Sequence, residues 1–498
     1  MKHNYIRHFL LLCSFVSVLV LSACKDQWEA HNELLNAENG LSLLDKIKQQ
    51  PELSSFAALL VKTGYDQVLV SSKTFTVWAP TNEAMAKLDQ SALSSDSLLK
   101  QFVANHIVNQ NYLVGGLKSA GLASQRLQTL NGKYLTFKVE TVDDAKILKS
   151  DMVVKNGVLH EVDAVLEVHQ NIWDYLKRLT GTGQRQLNFL RSMNYDFQGT
   201  VKVYSVNGTR NDYLEQIAGL NKENGEFTYI LLTDEAFEKE YNKLSKFFLV
   251  TKTDARYDST TVYRTSFQVI KDFVAKTIVA PAQLNNTLLS STEVNVPIDK
   301  SAIVSSYRAS NGMVYVMNKV DFEVFRDKIR PIVIEGEQLN SYSRTDRGGN
   351  IFTRIRLDES GLQFTDRFIT GTGYAQFWAR GRINNLYSGK YQLYWRALND
   401  QGWSSAVPSA PVNFKQKLGF SSPLGALLPY VDLIPYTTVA YNNPDDRLRV
   451  REQLKEVYLG DITVTSWGSN MLYVVGDNIA TAGLNTISLD YVKLVPIN

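Results

Sequence analysis

Between Leu43-Leu44 and Leu59-Leu60 the apolar residues recur at helical spacing, and they do so again between Ile172-Trp173 and Phe189-Leu190. Two segments of the chain therefore open with helix. Runs such as Phe75-Thr-Val-Trp78, Tyr391-Gln-Leu-Tyr-Trp-Arg-Ala397 and Met471-Leu-Tyr-Val-Val475 are rich in β-formers. In the C-terminal third these runs alternate and are separated by Gly, Asn and Asp turns, which predicts antiparallel strands. The apolar run Phe9 to Val20 is of another kind: it has about twelve residues where a bilayer needs roughly 20. With Lys2 and Arg7 before it and small residues after it, it reads as the core of a secretory signal peptide.

The same pattern is written twice. Thr74-Phe-Thr-Val-Trp-Ala-Pro-Thr-Asn-Glu-Ala-Met85 aligns without gaps on Glu226-Phe-Thr-Tyr-Ile-Leu-Leu-Thr-Asp-Glu-Ala-Phe237. Phe102-Val-Ala-Asn-His-Ile-Val108 then matches Phe273-Val-Ala-Lys-Thr-Ile-Val279, and Asn156-Gly-Val-Leu-His160 matches Asn311-Gly-Met-Val-Tyr315, in the same order. Thr81-Asn82 suits a helix N-cap, whose side-chain oxygen accepts orphan backbone N–H groups. Asn156-Gly157 suits a tight turn between strands. Each unit is expected to be an α+β domain of roughly 150 residues.

These blocks resemble the fasciclin family. Phe75 to Ala84 is similar to the family's first box, Asn156-Gly-Val-Leu-His160-Glu-Val-Asp163 to its second, and His106 stands at the family's histidine position between them. The second unit departs from the pattern: Leu231-Leu232 replaces Ala-Pro, Thr277 replaces the histidine and Tyr315 replaces His160. The resemblance implies adhesion or ligand display on a compact scaffold, with no catalytic residues to carry over. His106 and His160 are expected to be hydrogen-bonded structural residues; a metal or pH-sensing role is the alternative.

The N-terminal Leu21-Ser22-Ala23-Cys24 resembles a bacterial lipobox, which implies cleavage before Cys24 and acylation of that residue. Two or three acyl chains, at about 0.8 kcal/mol per buried methylene, make a durable anchor. Lys25-Asp26 followed by Glu29 resembles the signal that sends Bacteroidetes lipoproteins to the outer face of the outer membrane. An ordinary signal peptide beside a cysteine, and a charged linker, are the alternatives. The cysteines are Cys13 and Cys24, so no disulfide is expected in the mature chain and each domain must be held by its own core. Formal charge is +3, and the discarded segment carries Lys2 and Arg7 with no acid, which leaves side chains summing to +1. Without a basic block, nucleic acid is not an expected partner.

Past Phe325 histidine disappears and aromatic residues become dense, which with the strand pattern predicts an all-β sandwich of jelly-roll type. Its opening Ile332-Val-Ile-Glu335-Gly-Glu337 and closing Ile487 to Val495 resemble the first and last strands of carbohydrate-binding modules. That resemblance implies a structural calcium held by Glu335, Glu337 and Asp490, provided the two strands lie together; three edge carboxylates facing water are the alternative. Trp403 and Trp467 fall in turn-rich stretches and, with Tyr473, are the candidate sugar-binding aromatics, whereas Trp378 and Trp395 fall inside strand patterns and are expected in the core. Residues 416–447, with four prolines, form a long excursion within the sandwich.

The expected organisation is a signal peptide (1–23), a lipidated linker (24–38), two α+β fasciclin-like domains (39–168, and 169–325 with an insert at 241–263) and a β-sandwich (326–498). No nucleotide-binding glycine loop, zinc-binding histidine pair or Gly-x-Ser-x-Gly elbow occurs. The expectation is a non-catalytic, outer-membrane lipoprotein facing outward that binds extracellular glycan beside a SusC/SusD-type uptake system. The alternative is an adhesin or scaffold that holds protein partners.

Overall fold

The computed structural model describes residues 40–71, 73–88, 94–250, 257–358, 360–399, 414–421, 431–432, 455–480 and 485–498. Cys24, Trp403 and most of the excursion at 416–447 lie outside them, as do the signal and linker segments.

The first unit opens with the helix Leu43–Lys48, where Ser42 and Asp45 form a capping box. Pro51 then breaks the expected long helix: it holds Gln50 extended, and a second helix, Ser54–Thr63, runs on to Gly64 in the left-handed region, φ 79°. The seven-stranded sheet runs, from edge to edge, Ile107–Asn109, Phe75–Pro80, Gly157–Val162, Ala145–Val154, Thr141–Val142, Tyr134–Lys138 and Ser124–Gln128. Phe75–Pro80 and Gly157–Val162 pair in parallel and every residue of both is buried. Strands covered on both faces lose the alternation that half-exposed strands show, which is why Phe75-Thr-Val-Trp reads as a continuous apolar run. One core lies on the helical side around Phe56, Leu60, Val77 and Leu159. The other lies around Trp78, Leu135, Phe137 and Val162.

The second unit rebuilds the same centre. Phe227–Leu232 pairs in parallel with Gly312–Met317, with Phe227 opposite Gly312 and Ile230 opposite Tyr315, as Phe75 lies opposite Gly157 and Trp78 opposite His160. Thr81 caps its helix through the Ala84 N–H at 3.2 Å, and Thr233 does so through the Ala236 N–H at 3.3 Å. Asn156 and Asn311 each accept the first N–H of the opening helix, from Leu43 at 2.8 Å and Ile172 at 2.9 Å. The turn itself is Lys155-Asn156, and Gly157 is the first strand residue. Glycine is required there because a Cβ on Gly157 would lie 2.1 Å from the Phe75 carbonyl oxygen, and one on Gly312 1.9 Å from that of Phe227.

One sequence expectation needs correction, and two stretches of the second unit show more structure than the sequence led us to expect. The Phe102 and Phe273 blocks are not equivalent: the Trp78 N–H donates to the His106 carbonyl and the Ile230 N–H to that of Phe273, so Phe273 stands where His106 stands. The letters match one helical turn out of place because residues four apart share a helix face and its apolar requirement. The region expected as an insert, 241–263, is helical in its described part, where helix Asp234–Leu244, a 3-10 turn Ser245–Phe248 and helix Tyr257–Ile270 run through it. The larger unforeseen addition precedes it, a three-stranded sheet of Asn194–Gln198, Val201–Tyr204 and Arg210–Asn211.

The C-terminal region is an antiparallel sandwich. One sheet orders Ile332–Glu335, Tyr491–Ile497, Gly389–Arg396 and Val457–Val464, and the other Ser341–Tyr342, Trp378–Leu386, Gly468–Gly476, Lys415–Phe420 and Val431–Asp432. A third, of Ile351–Leu357, Gln363–Ile369 and Ile487–Leu489, closes the end. Leu393, Trp395, Leu418, Leu472, Val474 and Leu494 form the core between them.

The units are joined by specific contacts. Glu223 of the second accepts from Lys133 of the first at 2.5 Å, and Arg308 reaches back to Asp143 and Asp144, each at 2.6 Å. On the other side the segment Lys246 to Leu249 docks on the sandwich: the Ser388 N–H donates to the Phe247 carbonyl at 3.0 Å and the Leu249 N–H to the Ser388 hydroxyl at 2.9 Å.

Candidate functional site

The two box histidines are locked into the first unit. His106 is fully buried; its Nδ1 contacts the Phe102 carbonyl at 2.9 Å and its Nε2 accepts the Leu166 N–H at 3.0 Å, which fixes a neutral ring protonated on Nδ1. Burial pushes it down to about 4. His160 stacks on Trp78 at 5.7 Å, with its Nε2 2.9 Å from the Tyr112 carbonyl, and burial lowers its pKa too. In the second unit Tyr315 donates its hydroxyl to the Val279 carbonyl at 2.7 Å, the same bond to the equivalent place. Equivalence follows from Thr76 and Thr228, whose hydroxyls accept the Tyr112 and Val279 N–H groups respectively. Among the described residues no group of three or more His, Cys, Asp or Glu side chains is placed to hold a metal ion.

The sandwich carries a cleft of about 660 Å³ between the edge strand Val457–Val464 and the strand Gly468–Gly476. Phe420, Ser421, Asp461, Thr463, Ser469 and Asn470 line it together with Trp467. The Ser421 hydroxyl donates to Asn470 Oδ1 at 2.8 Å, and Asp461 accepts the Tyr458 hydroxyl at 2.6 Å. A cavity of this size with hydroxyl, amide and carboxylate groups around two aromatic side chains suits a small polar ligand or a short stretch of polymer.

Trp467 reaches this cleft in a different role from the one expected. Its N–H donates to the Leu249 carbonyl at 2.5 Å, its ring packs on the second unit's core, and the Arg264 guanidinium sits 4.7 Å from the ring centre. It is a joint between domains that also forms one wall of the cleft. Tyr473 is not a binding platform: it is 5% exposed, edge-on to Trp378 at 5.2 Å, with its hydroxyl 3.2 Å from Arg380. Of the two tryptophans expected in the core, Trp395 is there, while Trp378 lies partly open on the outer face of its sheet.

The first and last strands of the sandwich pair as calcium binding would need, with Glu335 opposite Tyr491. Among the described residues these three carboxylates do not form a group placed to hold a metal ion. Asp490 is turned to the Arg396 guanidinium, Glu337 accepts the Thr365 hydroxyl at 2.6 Å, and Glu335 belongs to a local capping box. Burial still holds Asp490 up at about 6, and burial followed by Glu337 raises Glu335. Sequence reasoning missed Asp461, Thr463, Ser469 and Asn470: the strand Val457–Val464 was not predicted, the stretch before Met471 was read as a loop, and the closeness of one strand's edge to the neighbouring sheet leaves no mark in the sequence.

Residues 51–168 match the fasciclin-domain model, so the chain carries a fasciclin domain there. Homo sapiens periostin is 31% identical over 140 residues, covering 26% of this chain, which in turn spans 16% of periostin's length. Among solved structures, the FAS1 domain pair of the insect cell adhesion molecule fasciclin I overlays 55% of this chain and 97% of its own, at 14% identity and TM-score 0.22. A family 35 carbohydrate-binding module from Clostridium thermocellum overlays 34% of this chain and 99% of its own, at 16% identity and TM-score 0.21. At these scores the overlays fix no function.

Proposed function

We propose that this chain is a non-catalytic surface lipoprotein of the Bacteroidetes outer membrane, anchored through Cys24, whose C-terminal sandwich captures extracellular glycan for a SusC/SusD-type uptake system. Residues 169–325 are in this reading a second, diverged fasciclin unit, and both units are the stalk that carries the sandwich outward. The observation that carries the reading is the cleft of about 660 Å³, with Asp461, Thr463, Ser469 and Asn470 offering hydrogen bonds around Phe420 and Trp467. Sugars present apolar C–H faces and a rim of hydroxyls, and need both kinds of partner at once. Glycan-array binding by the full chain, repeated with Thr463→Ala and Asn470→Ala, tests it: signal on at least one glycan, weakened in both variants, is expected, and no signal on any glycan rejects it. Protease shaving of intact cells tests the location, which fails if the protein is protected or if Cys24→Ser stays in the membrane fraction.

One observation favours protein partners instead. The added ribbon of the second unit exposes Phe197, Val201, Tyr204 and Val206, from 45% to 66% open. A protein-holding role predicts that Val201→Lys abolishes capture of a partner while leaving any glycan signal intact.

A further inference from the structure

The cleft continues into a row of side chains on the outer face of its sheet. In strand Trp378–Leu386, Ala379 and Ile383 point into the core, so Trp378, Arg380, Arg382 and Asn384 point outward. The register places Arg380 opposite Tyr473 and Arg382 opposite Met471, and Asn384 accepts the hydroxyl of Ser469, a cleft residue, at 3.3 Å. The row therefore leads from Trp378 straight to the cleft mouth.

Elsewhere in the sandwich Arg344, Arg347, Arg354 and Arg396 each sit against an aspartate, while Arg367 is held by the Gly336 and Glu337 carbonyls and the Thr353 hydroxyl. Arg380 donates to two neutral hydroxyls, Ser341 at 3.1 Å and Tyr473 at 3.2 Å, which hold the guanidinium without neutralising it. Arg382 is exposed. Among the described residues neither arginine has an ion-pair partner, and no acidic side chain faces outward from the strands Trp378–Leu386 and Gly468–Gly476. Lys415 and Lys417 lie further across the same face, with Lys415 in register with Asp432, and the inference does not depend on them.

Resting on the glycan-binding reading above, we infer that the ligand is a carboxylate-bearing polysaccharide, a polyuronate, that enters the cleft and runs along this strand. The planar fork of Arg382 takes a carboxylate in two parallel hydrogen bonds, a geometry lysine cannot offer. Arg380 lies two strand positions on, roughly 7 Å away, and provides the second positive site. Trp378, partly open beside the Arg380 guanidinium 5.5 Å from its ring centre, adds aromatic surface for the C–H face of the sugar. A neutral polymer would cover two charged groups without pairing them, at a desolvation cost with no return. Two guanidinium contacts release too few counterions to hold nucleic acid at physiological salt.

Titration of the full chain with polygalacturonate and with its fully methyl-esterified form is the test. The acid form is expected to bind at least about tenfold more tightly, to weaken as sodium chloride is raised, and to lose about tenfold in Arg382→Ala, with Arg382→Lys intermediate. Equal affinity for the two forms, an unchanged Arg382→Ala, or duplex DNA bound as tightly as polygalacturonate overturns the inference. If the methyl ester binds equally well and Asn470→Ala weakens both, the polyuronate assignment falls and the glycan reading stands; if no charged or neutral polysaccharide binds, both fall.

Discussion

The two repeated units differ most where the family motif is most specific, and one of the motif's hydrogen bonds persists through the change. In the first, His160 contacts the Tyr112 carbonyl; in the second, Tyr315 donates to the equivalent Val279 carbonyl. His106 is replaced by Phe273, and the preceding Asn105 by Asp272. Asn105 is satisfied by the Leu166 and Glu167 carbonyls, whereas Asp272 needs the buried ammonium of Lys328, at 2.6 Å. Where a different side chain makes the same bond, as Tyr315 does for His160, that side chain is holding a fold together. Arg380 and Arg382, without an ion-pair partner among the described residues, and the open cleft of the sandwich satisfy no such requirement, and that contrast is why binding is proposed at the C-terminal end.

The contrast can be broken at several points. The largest effect is expected in the second unit: Lys328→Met leaves the Asp272 carboxylate buried without its partner and should cost about 3–5 kcal/mol, read from urea unfolding. In the first unit acid is the probe. The folded pKa of His106, depressed to about 4, means that its stability contribution is full above pH 6.5 and is lost as pH falls from there through 4. The loss is on the order of 3 kcal/mol. Hydrogen exchange at pH 4.5 should therefore open strand Phe75–Pro80 before Phe227–Leu232, and equal protection of the two would contradict the assignment. A smaller effect, about 1 kcal/mol, is expected for Tyr315→Phe, which leaves the Val279 carbonyl without its donor. The smallest is none: because Arg396 already faces Asp490, millimolar calcium chloride should leave the melting temperature unchanged, and a rise of several degrees would restore the calcium site.

Much of this architecture was legible in the sequence because it repeats. The box Phe75 to Ala84 and its copy at Phe227 to Ala236 fixed the central strands and caps, and the alternation around Tyr391 and Met471 fixed two strands of the sandwich. The copy of His106 was misplaced by one turn, since helical periodicity makes a shift of four residues look like a match. The ribbon at 194–211 left no trace in the repeat, being present in one copy alone. Site residues were harder. Trp467 was read as open because aromatic residues in turn-rich stretches often are, and Tyr473 was grouped with it although it lies in a strand run, yet long-range partners, the second unit's core for one and Arg380 for the other, cover them. Asp461, Thr463, Ser469 and Asn470 are ordinary strand residues until two strands meet at an edge.

The most direct measurement is calorimetric titration of one bound polysaccharide into the full chain and into two variants, Asn470→Ala in the cleft and His160→Tyr in the first unit's box. Scaffolding repeats and a binding sandwich predict a clear loss of affinity in Asn470→Ala and an unchanged affinity in His160→Tyr. Retained binding in the cleft variant with loss in the box variant would contradict the account.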